Sequence, residues 1–402
     1  MIGGKYVRLL QKQLDALRAE DVHGNRRLLL DDVFVTHLLA FFTPSIRSLR
    51  TIEDFSQTRQ AQKHLSISKI CKSTLSDFHR LVDPERLTPI LDALRGQLSR
   101  KQARQGKGRG ELAELLQQVV AVDGTWLPAM ADVAWAVANK NNHHATRHRA
   151  RLDAHVNVAS GLPELLVVPE PNQSEPASAV EHLRPDRLCL YDRGFVSFEL
   201  VRAHHEQGGW FVARYKPAGV NSPELSHTAD APLSDDDHAA GVQSDRTGRF
   251  DTETARRVGI EAVELREVTV RVVERKGETT LRLVTNLTGV SASTIAQLYR
   301  RRWQAELFFR WLKSLANFDH LISHCREGMQ AYLYVAIIAA MLMYLHTGCR
   351  PSKYLFAMLG QVAAGGATLD EVLPILRERE RRSELDRQSR ARRAAKKKVE
   401  GK

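Results

Sequence analysis

Three acidic residues of this chain stand where folding could bring their carboxylates into one cleft. Asp123 follows the apolar run VVAV and precedes a glycine, and Asp192 follows LCLY and precedes Arg-Gly. Each is therefore predicted to lie at the carboxyl end of a buried strand, which is the edge of an open α/β sheet where ligands bind. Taken singly, each Asp is better explained as a turn former before a glycine.

The third acid, Glu306, lies in the stretch YRRRWQAELFFRWLK, which has helical spacing. On one continuous helix turning about 100° per residue, Tyr299, Arg302, Glu306 and Lys313 fall within about 60° of arc, and Arg301 points toward the apolar side. Exposed helix faces usually alternate opposite charges three or four residues apart, whereas here one carboxylate is flanked by cations and a hydroxyl. This stripe fits a site in which Glu306 holds a divalent cation and its neighbours hold phosphate groups.

Phosphodiester cleavage is a chemistry that needs such a set of residues. Two Mg²⁺ ions about 3.5–4 Å apart activate the attacking oxygen and stabilise the leaving oxygen, and they require several carboxylates in one cleft. Because Mg²⁺ prefers oxygen ligands and keeps part of its water shell, three carboxylates can suffice. A site of this kind would require Asp123, Asp192 and Glu306 to converge in one cleft.

The charge balance of the chain favours a polyanionic partner. With 59 Lys and Arg against 47 Asp and Glu, the 402 residues carry a formal net charge of +12. Such a surplus favours nucleic acid first and a membrane surface second. The four cysteines are scattered and form no CxxC pair, so neither a zinc ribbon nor a disulfide framework is indicated and a reducing compartment is expected.

No membrane-spanning segment is expected. The first twenty residues are amphipathic and charged, and they lack the apolar core of a signal peptide. The most apolar segment, residues 331–345, is shorter than the roughly 20 residues that a membrane span requires. We expect this segment to be a helix buried in the core of the protein.

Two motifs and one spacing carry a resemblance to a known family. AVDGTW, YDRGF and the pattern Tyr-x2-Arg-x3-Glu-x6-Lys, which begins at Tyr299, resemble the DDE transposases of bacterial insertion sequences. More narrowly, they are similar to the subgroup defined by a Tyr-Arg-Glu-Lys helix. The resemblance covers residues 115–346, and it implies an α/β fold: a ribonuclease-H-like catalytic domain with a β-rich insertion, preceded by an all-α domain that binds the inverted-repeat ends of the element.

The resemblance also implies residue roles, cofactors and partners. Asp123, Asp192 and Glu306 would be the catalytic acids and would bind two Mg²⁺ ions, with Mn²⁺ able to substitute. The DNA contacts would come from Tyr299, Arg302, Lys313, Trp303 and Arg193. The expected partners are double-stranded DNA, at the transposon ends and at the target, and a second copy of the chain on that DNA. Neither a small-molecule cofactor nor a membrane is expected, and the predicted location is the bacterial cytoplasm, at the nucleoid.

The implied activity is cut-and-paste transposition. Hydrolysis at each element end releases a 3′-hydroxyl, which then attacks the opposite strand or the target DNA. Two alternatives remain open: a Mg²⁺-dependent nuclease on the same fold that does not join strands, and a non-catalytic DNA-binding protein derived from a transposase.

In relatives a Trp of the insertion holds a flipped base, but this chain has no Trp between residues 217 and 302. Trp303 or Trp210 is therefore the expected stacking residue, and Trp126 is expected to be a packing residue.

The pattern along the chain predicts four regions. They are a helical DNA-binding domain at 1–105, a catalytic core formed by 115–216 and 288–350, a β-rich insertion at 217–287, and a helical C-terminal region with a basic tail at 351–402. Within the first region, residues 50–80 loosely match a helix-turn-helix joined near residues 65–68.

Further elements follow from local composition. Residues 100–111 are rich in Gly and cations and predict a linker. Residues 217–265 are polar and predict either loops or an inserted, solvated excursion. Strong alternation around Gly277 predicts a β-hairpin over 266–287. The last residues, 377–402, are strongly basic and predict either a frayed helix or a disordered arm.

Overall fold

The computed structural model describes residues 2–20, 24, 26–43, 45–46, 48–104, 115–128, 137–139, 147–216, 224–274, 277–315, 323, 325–349, 353–363 and 365–400. The chain forms two compact units. One contains Met1–Lys101 together with Trp311–Lys402, and the other contains Gln102–Arg310. Residues 311–350, which the sequence pattern assigned to the catalytic core, therefore cluster with the N-terminal helices.

The described N-terminal part of the first unit is helical, as predicted. Its helices are α1 (Ile2–Leu9), α2 (Gln11–Ala19), α3 (Leu30–Phe41), α4 (Leu49–Ser56), α5 (Arg59–Gln62), α6 (Lys72–Leu81) and α7 (Thr88–Arg104). The connection between α5 and α6 covers residues 63–71, which is longer than the roughly three to four residues of a helix-turn-helix. Helix α7 continues to Arg104, into the predicted linker, and residues 105–114 lie outside the described residues.

The second unit is a mixed α/β structure. Its elements up to residue 300 are β1 (Val119–Pro128), β2 (Val137–Asn139), β3 (Arg147–Asn157), β4 (Leu162–Val167), α8 (Glu175–Glu181), β5 (Leu188–Tyr191), α9 (Phe198–Gln207), β6 (Trp210–Tyr215), β7 (Leu225–Asp230), α10 (Asp235–Ala240), β8 (Val242–Phe250), α11 (Glu253–Val258), β9 (Leu265–Glu274), β10 (Gly277–Thr285) and α12 (Ala292–Arg300). The strands predicted before Asp123 and Asp192 are observed as β1 and β5, and Gly161, whose φ is 69°, lies in the turn between β3 and β4.

These strands form one large mixed sheet with the order β2-β3-β1-β5-β6-β10-β9-β8-β7, in which β4 pairs with β3. Strands β1, β5 and β6 are parallel, whereas β3 runs antiparallel to β1. All four residues of β5 are buried, as expected for a central parallel strand covered on both faces.

Of the two alternatives predicted for 217–265, loops are wrong for residues 224–265, which the structure describes. These residues form β7, α10, β8 and α11, and β7–β10 extend the sheet from β6 by antiparallel pairing. The strand pattern is hidden in the sequence because polar side chains occupy buried positions. In β8, Asp245 is 6% exposed and makes a two-pronged ion pair with Arg266 of β9, with contacts of 2.7 and 2.6 Å.

Strand β7 forms the outer edge of this extension. Of its six residues only Leu225 is buried, and its register against β8 shifts between His227 and Ala229. Such a shift marks a β-bulge, which twists an edge strand locally.

The helix expected to run unbroken from Tyr299 to Lys313 is interrupted. Helix α12 ends at Arg300, and α13 (Trp303–Leu315) begins three residues later. The amides of Arg301 and Arg302 donate to carbonyls three residues earlier, at 2.9 and 3.0 Å, as in a 3₁₀ turn. The turn leaves Arg301 exposed, so the prediction that it points toward the apolar side is wrong.

The remaining helices belong to the first unit. They are α14 (Arg326–Thr347), α15 (Lys353–Ala363) and α16 (Leu369–Glu400). Helix α14 is long and apolar enough to cross a membrane, but 78% of its most apolar window is buried in the protein, and it packs against α3 and α6. The predicted buried core helix is thus confirmed, and the basic C-terminal segment is helical through Glu400. All four cysteines are free.

Candidate active site

The register of three parallel strands brings charged residues together at one edge of the sheet. Val122 of β1 is paired with Tyr191 of β5, and Tyr191 is paired with Ala213 of β6. The residues that come next in the chain are Asp123, Asp192 and Arg214. These three residues therefore lie side by side across the neighbouring strands, one position beyond the paired residues. The register of the parallel strands explains why Asp123 and Asp192, which are distant in sequence, are neighbours in the fold.

Asp123 differs in one respect from its predicted position. Strand β1 does not end there but continues to Pro128, paired with β3. Only the parallel pairing with β5 ends, after Val122. Asp123 is therefore fixed on its β3 side by main-chain pairing, which places the carboxylate on a rigid element.

Helix α12 delivers Tyr299 to this edge of the sheet. Its N-terminus is capped by Ser291, whose side chain accepts a hydrogen bond from the Thr294 amide. A second cap comes from the insertion, because Oδ1 of Asp237 in α10 accepts a hydrogen bond from the Ser293 amide at 2.7 Å. The buried face of α12 includes Ile295, Ala296 and Leu298. The insertion thus helps to set the position of α12.

Arg302, in the turn between α12 and α13, lies among the three acids. Its Nη2 donates to Oε1 of Glu306 at 2.7 Å, and its Nη1 donates to Oδ2 of Asp123 at 3.3 Å. Nη2 also lies 3.9 Å from Oδ2 of Asp192. One guanidinium therefore contacts all three of the acids that the sequence predicted to converge.

Asp192 has two further partners. The hydroxyl of Tyr299 donates to its Oδ1 at 3.2 Å, and Nη1 of Arg214 lies 3.8 Å from the same oxygen. Arg302 also lies near the ring of Tyr299, with its central carbon 6.0 Å from the ring centroid. Tyr299 and Arg302, which were predicted to hold phosphate, hold carboxylates in this structure.

Burial and the crowding of charges shift the ionisation of this site. Burial raises the pKa of Asp123 to about 6, with Asp192 and Glu306 adding to the rise and Arg302 opposing it. Burial, reinforced by the charge of Asp192, raises the pKa of Tyr299 far above its usual range, so its hydroxyl stays protonated and donates. For Arg302, burial lowers the pKa, but the interactions with the surrounding residues raise it by more than burial lowers it. The pKa of Arg302 is therefore raised overall, and the guanidinium stays charged.

The three carboxylates are arranged around one cation. Among the described residues, no three His, Cys, Asp or Glu side chains form a ready-made metal cage. Three carboxylates nevertheless surround one positive group, the guanidinium of Arg302, which shows that a cation at this place has carboxylate oxygens on several sides. An all-oxygen ligand set suits Mg²⁺ or Mn²⁺ rather than softer metals.

A second layer of charge lies behind the two Asp residues. A Cβ added to Gly124 would lie 2.9 Å from Oδ1 of Asp153 and 3.2 Å from Oε1 of Glu175, and a Cβ added to Gly194 would lie 2.5 Å from Oε2 of Glu175. The glycines that follow Asp123 and Asp192 therefore leave room for the Glu175 carboxylate. Burial, followed by the charge of Asp153, raises the pKa of Glu175.

The other predicted contact residues are exposed. Lys313 is exposed on α13 and Arg193 is exposed in the turn after β5. Trp303 is 48% exposed, and the guanidinium of Arg310 lies 5.8 Å from its ring centroid. Trp210 is 46% exposed, so both candidate stacking residues are accessible.

Sequence patterns missed several residues near the site. Arg214 could have been found by looking for a charged residue at the carboxyl end of the apolar run of β6, as was done for Asp123 after β1 and Asp192 after β5. Glu175 begins a short helix and belongs to no motif, so only the fold brings it near the site. Trp126 was expected to pack, but it is 44% exposed and stands opposite Arg151 in β3.

The sequence profile of the family described as the transposase DDE domain matches residues 114–342, more than half of the chain. The chain belongs to the DDE transposase family. The matched region contains β1, β5 and α13, and with them Asp123, Asp192 and Glu306. Membership in the Tyr-Arg-Glu-Lys subgroup remains a prediction.

Three relatives are named as transposases. The protein is 29% identical over 193 residues to one for insertion sequence element IS5377 from Geobacillus stearothermophilus, a match covering 45% of this chain and 48% of the relative. It is 24% identical over 309 residues to one for IS4SA from Synechocystis, covering 74% and 79%. A third, y4zB from Sinorhizobium fredii, is 25% identical over 251 residues, covering 62% and 64%. The chain thus spans about half the length of the first relative.

One solved structure shows a distant likeness. It is the cryo-EM structure of the piggyBac transposase synaptic complex with hairpin DNA, with a TM-score of 0.39 and 12% sequence identity, covering 92% of this chain and 80% of the other.

Proposed function

We propose that this transposase cleaves DNA at the inverted-repeat ends of its insertion sequence and joins the released 3′-hydroxyl to target DNA. The observation that carries the proposal is the convergence of Asp123, Asp192 and Glu306 on one guanidinium, at 3.3, 3.9 and 2.7 Å. Carboxylates crowded in this way are the ligand set that metal-assisted phosphodiester chemistry uses. The reaction would be cut-and-paste transposition by a homodimer assembled on DNA.

The strand arrangement supports a ribonuclease-H-like core. Strand β1 is flanked by antiparallel β3 on one side and parallel β5 and β6 on the other, with β4 beyond β3. The insertion between β6 and α12 lengthens this sheet without separating β5 from β1. We therefore infer that the insertion serves as a support for α12 rather than as part of the core.

Asp123, Asp192 and Glu306 would hold the divalent cations, Mg²⁺ or Mn²⁺ and two per site. When bound, such ions lower the pKa of the attacking water or hydroxyl and stabilise the leaving oxygen. Tyr299 orients Asp192 through its hydrogen bond. Because both cleavage and joining are in-line displacements at phosphorus, one set of residues serves both.

The cations around the site would hold the DNA. Arg302 and Arg214 each lie beside Asp192. Lys313 lies in the last turn of α13, the helix that carries Glu306. A guanidinium binds two phosphate oxygens at once, and an ammonium acts as a point charge. The half-exposed indole of Trp303 offers a surface on which a displaced base could stack. Trp210 begins β6, at the opposite end of that strand from Arg214 and the acids.

The test is cleavage of a labelled duplex that carries the inverted repeats flanking the gene. Asp123→Asn, Asp192→Asn and Glu306→Gln should each abolish Mg²⁺-dependent cleavage while binding of the duplex persists. Glu199→Gln is the matched control, because Glu199 is an exposed acid on α9. Normal cleavage by any of the three variants would show that the acids are misassigned.

A target plasmid in the same reaction separates the alternatives. A transposase joins the labelled end to the plasmid, whereas a nuclease on the same fold cuts without joining. Binding without cleavage in either Mg²⁺ or Mn²⁺ would indicate a non-catalytic DNA-binding protein.

A further inference from the structure

Arg302 stands where a cation shared by the three acids would stand. Its guanidinium lies 3.3 Å from Asp123, 3.9 Å from Asp192 and 2.7 Å from Glu306, measured between the nearest nitrogen and oxygen. Its side chain is only 12% exposed, so these contacts are partly shielded from water. Arg214 makes fewer contacts with these acids than Arg302. Among the described residues its ion pair is with Asp192, at 3.8 Å, and not with Asp123 or Glu306.

We propose that Arg302 is a placeholder cation that neutralises the acid triad in the free protein and must leave it before a divalent ion can bind. A phosphate of the transposon end would then receive the guanidinium, so DNA binding would prepare the site for the metal. This inference rests on the proposed function and adds the order in which the site is assembled.

The triad needs a counter-charge in the absence of DNA and metal. Three carboxylates in one partly buried cleft repel one another, and the repulsion is stronger there than in water. A guanidinium suits this role because it stays charged in proteins and presents donors in several directions. Arg302 uses two different nitrogens to reach Asp123 and Glu306.

The guanidinium and a divalent ion cannot use the triad together. Both are cations and both would take the oxygens that face the centre of the site, so each excludes the other by repulsion and by competition for lone pairs. The Arg302 side chain can be displaced from the acids because Arg302 lies in the turn between α12 and α13. Its side chain can rotate about its own bonds while the helices that carry Tyr299 and Glu306 stay in place.

Phosphate is the natural acceptor for the displaced side chain. A planar guanidinium pairs with two phosphate oxygens as well as with carboxylates. Once Arg302 binds phosphate, the triad loses its counter-ion and its affinity for a divalent cation rises. By linkage, metal binding must strengthen DNA binding by the same factor.

The experiment measures Mn²⁺ binding to the full chain by the loss of the free-ion electron paramagnetic resonance signal, with and without an inverted-repeat duplex. Without DNA, Arg302→Ala should bind Mn²⁺ about tenfold or more tightly than the wild type, which corresponds to about 1.4 kcal/mol or more. Adding the duplex should raise the Mn²⁺ affinity of the wild type and leave that of Arg302→Ala nearly unchanged. Arg214→Ala should show a smaller gain, and Arg302→Lys should lie between Arg302→Ala and the wild type.

Equal or weaker Mn²⁺ binding by a folded Arg302→Ala variant, with unfolding followed by circular dichroism, would overturn the placeholder role. The double variant Arg302→Ala/Glu306→Gln separates this failure from a failure of the proposed function. If it binds Mn²⁺ as tightly as Arg302→Ala, the triad is not the metal site and the proposed function fails with it. If its binding is lost while Arg302→Ala matches the wild type, only the placeholder role is wrong.

Discussion

The hydroxyl of Tyr299 donates a hydrogen bond to Oδ1 of Asp192, with 3.2 Å between the two oxygens. Tyr299 is 7% exposed, so its ring also packs in the interior. One side chain thus joins the end of α12 to the end of β5, and the two roles can be separated by removing the hydroxyl alone.

Tyr299→Phe should slow DNA cleavage while leaving the fold intact. The ring keeps its packing, but Asp192 loses one donor, and a hydrogen bond worth about 1–1.5 kcal/mol corresponds to roughly a tenfold change in rate. The measurement is the single-turnover cleavage rate at saturating DNA, together with the melting temperature. Tyr215→Phe, which removes a hydroxyl from a buried residue in β6, is the control, and a wild-type rate for Tyr299→Phe would rule out the orienting role.

Asp237→Ala should destabilise the second unit and reduce cleavage together. Oδ1 of Asp237 accepts from the Ser293 amide and Oδ2 accepts from the Ser234 amide. Hydrogen bonds to a charged group contribute about 1.5–3 kcal/mol each, so a loss of about 3 kcal/mol is expected from urea unfolding. Asp236→Ala is the control, since Asp236 is exposed on the same turn of α10, and equal stability of the two variants would contradict the prediction.

The same carboxylate predicts a pH dependence. Burial raises the pKa of Asp237, but hydrogen bonds from Ser234 and Ser293 outweigh it and lower the pKa from 3.8 to about 2. A depressed carboxyl pKa stabilises the fold fully above the unfolded value and loses that contribution as the pH falls through the folded value. The stability difference between wild type and Asp237→Ala should therefore be constant above pH 5 and shrink between about pH 4 and pH 2. A difference that stays constant down to pH 2 would show that the ionised form is not the one that matters.

Gly241→Ala should be more destabilising than Gly259→Ala. Both glycines end short helices with positive φ, 87° and 81°, so both variants carry the same conformational strain of about 1–2 kcal/mol. At Gly241 an added Cβ would also lie 2.7 Å from the main-chain oxygen of Arg271, whereas at Gly259 no heavy atom is within 4 Å. The extra loss, measured by urea unfolding, isolates the clash between the added Cβ and the main chain of β9, and equal losses would contradict it.

Lys313→Ala should weaken binding of the transposon end and reduce its salt dependence. Each phosphate contact adds about 0.9 to the slope of log affinity against log salt, so removing one should lower the slope by about that amount. Binding titrations between low and moderate salt give the slope directly. Arg257→Ala removes an exposed charge from α11 and should leave the slope unchanged, and an unaltered slope for Lys313→Ala would assign that residue a structural role.

The sequence was most informative where local pattern and tertiary structure agree. Apolar runs that end near a glycine located β1 and β5, and the position of Asp123 and Asp192 directly after those runs singled them out. Alternation around Gly277 located the β9–β10 hairpin. These elements are buried on one or both faces, so their hydrophobic patterns are strong.

Other features depend on contacts that no local pattern records. The segment YRRRWQA contains no Gly or Pro, yet the helix is interrupted there, with Arg302 paired to acids from two other elements. Strand β8 was hidden because Asp245 and Gly248 occupy buried positions. Glu175 is distant in sequence from both Asp residues, and only the fold brings it beside Gly124 and Gly194.

The bulged strand β7 limits how copies of this protein can self-assemble. A flat, apolar edge would offer its free amides and carbonyls as a template for another chain, and such edges promote fibril growth. Here the exposed polar side chains and the shift between His227 and Ala229 work against that kind of growth. We therefore expect the proposed homodimer to associate through surfaces other than this edge of the sheet.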